Sequence, residues 1–101
     1  MANTTQIHIT VYDNELYIVA STTAGSSELC HLKSGFDNPV EYKFNPGHIL
    51  QSGSYELTLV GINWGGPRKF AVTTTPPIPG LSGSGSGPVG VVWTKTVPIT
   101  V

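Results

Sequence analysis

A small antiparallel β-sandwich, jelly-roll-like or immunoglobulin-like, with about seven or eight short strands is the fold this all-β sequence predicts. Three observations carry that expectation. Short runs alternate apolar and polar residues with a period of two, clusters of Gly, Pro, Asn, Asp and Ser punctuate them, and no segment shows helical periodicity or an internal repeat. The 101 residues suit one domain spanning 1–101, with chain enough for one modest core.

The first strand is expected over residues 6–12, where Ile7, Ile9 and Val11 share one face and His8, Thr10 and Tyr12 the other. Asp13-Asn14 tolerates positive φ, so it reads as a two-residue hairpin turn leading into a second strand over residues 15–20. Residues 21–27 are polar and contain Gly25, and a short strand over 28–33 ends at Ser34-Gly35. Phe36-Asp37-Asn38-Pro39 reads as a turn, because the residue before proline is pushed out of the helical region and Asp and Asn bond nearby backbone.

Val40, Tyr42 and Phe44 alternate with Glu41 and Lys43 as a strand with one wet face, closed by Asn45-Pro46-Gly47. Residues 55–62 are β-rich on both faces and read as a central strand. Together with residues 68–75 they flank the Trp64 turn as arms of a hairpin. Pro76-Pro77-Ile78-Pro79-Gly80 ends that hairpin, since proline cannot donate to a ladder. Residues 80–88, rich in Gly and Ser, read as a flexible loop. Residues 89–101 return as strand, with Pro98 marking an edge or bulge.

Charged residues are only 11% of the chain, against about 25% in an average domain. Five Lys and Arg face six Asp and Glu without clustering, which leaves no electrostatic footprint for nucleic acid or an anionic membrane. Near-neutral net charge with strand-rich sequence favours subunit association, so a homo-oligomer is expected. Cys30, the single cysteine, excludes an intrachain disulfide and reads as a small buried hydrophobe. No signal peptide and no membrane span are recognisable, so a soluble cytoplasmic protein is expected, or one secreted by a route without a signal peptide.

Three His, one Cys and six carboxylates, mostly single, give little material for an enzyme site, and no catalytic role is expected. Cys30 and His31 are strand neighbours on opposite faces and cannot act as nucleophile and base. Zinc spacings such as Cys-x-x-Cys are absent, and the Gly/Ser segment lacks the Lys-Ser/Thr end of a phosphate loop. Calcium would draw on Asp37 with Asn38 or Asp13 with Asn14, but both pairs are better explained as turn formers, so no cofactor is expected.

The stretch Gly61-Ile62-Asn63-Trp64-Gly65-Gly66-Pro67-Arg68 carries the most informative chemistry. A sugar offers an apolar C–H face and a fan of hydroxyls, so its site needs an aromatic plate beside planar hydrogen-bonding groups. Asn63, Trp64, the amides of Gly65 and Gly66, and Arg68 supply that set, and the glycines permit close approach to the backbone. His48, Asp37 and Asn38 join them as turn-borne candidates, whereas Trp93 reads as core or interface. A non-catalytic, lectin-like carbohydrate-binding domain acting as a homo-oligomer is therefore the leading expectation. The alternatives are a structural, self-assembling β-protein with its Trp residues at subunit contacts and, third, a toxin or host-interaction subunit.

Overall fold

The inward-facing residues of the first strand change parity part-way along it, and that change decides the architecture. Ile7, Ile9 and Val11 are fully buried at odd positions, then Leu16, Ile18 and Ala20 are buried at even ones. In a computed structural model the backbone is described for residues 2–34, 38–64, 66–87 and 89–101, and for residues 12–14, 66–68, 84–87 and 92 the backbone alone. β1 is one strand, Gln6–Thr22, with an irregularity in its pairing between Val11 and Asp13. A bulge of this kind inserts a residue, switches the inward face and bends the strand.

The bend lets β1 serve two antiparallel sheets. Its first half lies between β3 (Val40–Phe44) and β5 (Gly66–Thr75), with β6 (Gly83–Gly87) beyond β5. Its second half lies between β2 (Gly25–Ser34) and β4 (Ser54–Asn63), with β7 (Gly90–Thr100) beyond β4. Phe70 and Val72 of one sheet and Leu57, Leu59 and Ile99 of the other join the buried β1 residues in a single core. Each such side chain contributes about 1.5–3 kcal/mol relative to exposure, so the packing of one sheet on the other is the main stabilising term. The all-β sandwich expected from the sequence is the fold observed.

Three local expectations are corrected. Asp13-Asn14 is not a hairpin turn, because the chain continues as strand through it; the first hairpin turns at Thr23-Ala24, with Thr22 paired to Gly25. There the Ala24 amide donates to the Thr22 hydroxyl at 3.1 Å. Nor are β4 and β5 arms of a hairpin: each pairs with a different half of β1, so the chain crosses between sheets around Trp64. Gly61 lets the Phe70 ring of the other sheet pack against the β4 backbone, since a Cβ there would lie 2.6 Å from that ring.

The Gly/Ser segment, expected as a loop over 80–88, pairs with β5 as strand β6. Its entry is anchored: Leu81 is fully buried, and the Ser82 hydroxyl accepts from the Val72 amide at 2.9 Å and donates to the Val72 carbonyl at 3.3 Å. Gly83 lies against Trp93, whose ring atoms would be 3.2 Å from an added Cβ. A larger residue would displace that ring, which gives this glycine a packing role.

The pairings also sort the connections between the two ends of the sandwich. β2 ends and β3 begins beside the bend of β1, where Ser34 faces Asn14 and Val40 faces Val11. β4 ends against the start of β7 at the same end, Asn63 facing Gly90. The far end holds the Thr23-Ala24 turn, the hydrogen bond from the Thr4 amide to the Thr100 carbonyl at 2.8 Å, and a 3-10 turn, Pro46–His48. Asn45 caps that turn by accepting from the Gly47 amide at 2.8 Å.

Candidate functional site

Beyond the bulge, the odd-numbered residues of β1 point away from the core, which carries Glu15 and Tyr17 onto the outer face of the second sheet. The antiparallel register sets Lys33 directly opposite Glu15 and His31 directly opposite Tyr17. Such cross-strand neighbours are close enough for their side chains to interact. The Tyr17 and His31 rings stack at 3.9 Å between centroids, with 15° between their planes. Trp64, at the end of β4, reaches the same cluster, because Ile62 pairs with Glu15 on its other side.

Glu15 is the hub. Its Oε2 lies 2.6 Å from His31 Nε2, and its Oε1 accepts from the Trp64 indole N–H at 2.8 Å. The carboxylate side chain is only 12% exposed, so both bonds act where water competes weakly. The His31 hydrogen bond foremost, helped by the Trp64 N–H and the charges of Lys33 and His31, holds the Glu15 carboxyl below its ordinary range against the opposing effect of burial. Burial, with the nearby Glu15 and Glu28 charges, pushes the Tyr17 phenol up.

Trp64 is consequently a tethered ring. It remains 48% exposed while its N–H is committed to Glu15, and Lys33 Nζ stands 5.7 Å from its centroid. That distance lies within the range of a cation–π contact. The arrangement offers an aromatic surface of defined orientation, an imidazole, a phenol and an ammonium on one side of one sheet. These are groups that hold polar, ring-shaped ligands.

Of the residues expected at this site from sequence, Trp64 is at the surface, but Asn63 is fully buried and does not reach the face a ligand would touch. Asp37 and Gly65 lie outside the described residues, as does the side chain of Arg68, and Gly66 opens β5, where its backbone faces Gly87 of β6. Asn38 is exposed and precedes β3, at the end of the sandwich that carries Trp64. His48 sits in the 3-10 turn before β4, so the ten residues of β4 separate it from Trp64, about 30 Å at the strand rise. It belongs to no common site with Trp64.

Trp93 stacks on Phe70 at 5.9 Å and packs against the core, in keeping with a core role. Burial, reinforced by the Glu28 charge, pushes the Cys30 thiol up to about 12, which suits a thiol that behaves as a hydrophobe. Among the described residues no group of three His, Cys, Asp or Glu converges to hold a metal, and no helix is long and apolar enough to cross a membrane.

Glu15, Tyr17, His31 and Lys33 were not among the sequence candidates. Alternation does place Glu15 with Tyr17 and His31 with Lys33 on like faces of their runs. The signal that joins the two pairs is the β1–β2 register, which becomes readable only once the turn is located at Thr23-Ala24. Compared with protein-family models, curated proteins and solved structures, the chain matches none.

Proposed function

We propose that the protein is a non-catalytic, lectin-like carbohydrate-binding domain whose site is the outer face formed by Trp64, Glu15, His31, Tyr17 and Lys33. The observation that carries this reading is the Trp64 ring, half exposed and tethered by its N–H to a largely buried carboxylate. An indole fixed in this way loses little side-chain freedom when a sugar's C–H face stacks on it, which lowers the entropic cost of binding. His31, Tyr17 and Lys33 supply polar edges for sugar hydroxyls within the same cluster. One such site is small, so useful avidity calls for several, and a homo-oligomer provides them.

A glycan array with the wild type and with Trp64→Ala tests the proposal. Selective binding that the substitution abolishes, with far-UV circular dichroism unchanged, supports it. Absence of binding to every glycan overturns it.

One observation favours a second reading, self-assembly through the β7 edge. Val89 and Val91 are 72% and 62% exposed, and Val91 lies on β7, whose only described partner is β4. Apolar side chains along an unpaired edge promote strand addition. Sedimentation velocity of Val91→Lys separates the readings, since assembly through this edge fails in that variant while sugar binding per subunit is retained.

A further inference from the structure

Lys33 brings a positive charge to the Trp64 ring, with Nζ 5.7 Å from its centroid. Among the described residues no carboxylate lies within 4.0 Å of that ammonium. Its cross-strand neighbour is an acid, Glu15, but both oxygens of that carboxylate are engaged, one by His31 at 2.6 Å and the other by Trp64 at 2.8 Å. Glu15 therefore orients the ring through Trp64, while the Lys33 ammonium acts on that carboxylate by its charge without closing to an ion pair and keeps its N–H donors for an anion from outside. A stacked sugar carrying a negative substituent would meet both features at once.

We infer that the ligand is an anionic sugar, its C–H face on Trp64 and its carboxylate or sulfate on Lys33; this rests on the carbohydrate-binding reading above and narrows it. The lysine stem has several rotatable bonds, so its ammonium can follow an exocyclic group at the rim of the indole and close to the roughly 2.8 Å of a charge-assisted hydrogen bond. Because Lys33 is solvent-exposed, screening moderates the gain, and selectivity of about fivefold to tenfold over the neutral sugar is expected. Raised salt should erode that selectivity and leave the stacking contribution in place.

The test is an array that carries each oligosaccharide in neutral, carboxylated and sulfated form, probed with the wild type, Lys33→Gln, Lys33→Arg and Trp64→Ala. The expected result is that the wild type prefers a charged form by about fivefold or more, that Lys33→Gln levels the series, and that Lys33→Arg keeps the preference. Preference for the carboxylated or the sulfated form alone identifies which anion is taken. Equal binding of all three forms, still lost in Trp64→Ala, overturns the anionic assignment and leaves carbohydrate binding standing. A charged-form preference that survives Lys33→Gln also overturns it, by placing the anion elsewhere, and binding to no member of the array removes both proposals together.

Discussion

Replacing Glu15 with Gln tests whether the carboxylate charge organises the outer face. Gln keeps an oxygen able to accept from the Trp64 N–H but removes the charge that bonds His31 at 2.6 Å and faces Lys33 across the ladder. Hydrogen bonds to charged groups contribute about 1.5–3 kcal/mol when sheltered. The His31 side chain is 33% exposed, so it can regain water when its partner changes, and solvent screening reduces the loss to about 1 kcal/mol. The pH dependence follows from the direction of the Glu15 shift. Because the folded-state pKa is depressed, the carboxylate's contribution is fully present above the unfolded value, near 4.5, and is lost as pH falls through the folded value. Urea unfolding followed by far-UV circular dichroism between about pH 3 and 7, which spans the carboxylate range, should show wild type and Glu15→Gln separated at neutral pH and converging towards the acid end. A gap that persists unchanged into acid, or no gap at any pH, would refute the role assigned to the charge.

Other outcomes follow from the packing. Gly61→Ala places a Cβ 2.6 Å from Phe70; overpacking of about 1–3 kcal/mol outweighs the 0.5–1 kcal/mol normally gained by removing a strand glycine, so Tm should fall by roughly 5–10 °C in thermal denaturation. Gly83→Ala would bring a Cβ to 3.2 Å from Trp93, which must then give by a few tenths of an ångström; Tm falls if the stacking on Phe70 holds the ring in place, and a rise in Tm shows that the ring yields and that the loss of glycine freedom decides the outcome. Cys30, with its thiol pushed up to about 12, should react with a disulfide reagent at pH 8 about a thousandfold more slowly than in urea, judged from thiolate fractions alone. Equal rates in both conditions would show that the half-buried thiol is not shielded by the folded chain.

The alternation of Ile7, Ile9 and Val11, and then of Leu16, Ile18 and Ala20, is visible in the sequence and marks the buried faces on which the sandwich is built. The change of parity between the two sets was legible as well. It fits two arrangements, a hairpin turn or a bulged strand passing between sheets, and local turn chemistry at Asp13-Asn14 favoured the wrong one. Long-range pairing of β1 with β3, β5, β2 and β4 settled the choice, since a continuous β1 supplies a partner on both edges in both sheets. Glycine composition misled in a similar way: six alternating Gly and Ser residues look like a linker, yet the lack of side chains is what allows Gly83 to lie under Trp93.

For the site, sequence alone singled out Trp64 as the aromatic to be displayed, because Gly and Pro residues around it break the flanking strands. It also indicated all-β structure, a Cys with hydrophobic character and a Trp93 at the core or an interface. Only the tertiary structure decided which groups share the outer face with Trp64. Asn63 is adjacent in the chain and is buried, while Glu15, 49 positions away, accepts its N–H bond. Local sequence reports each residue's period and turn chemistry. Which residues meet across a sheet depends on register, and register is set by where the chain turns and bulges, through the burial of all strands at once.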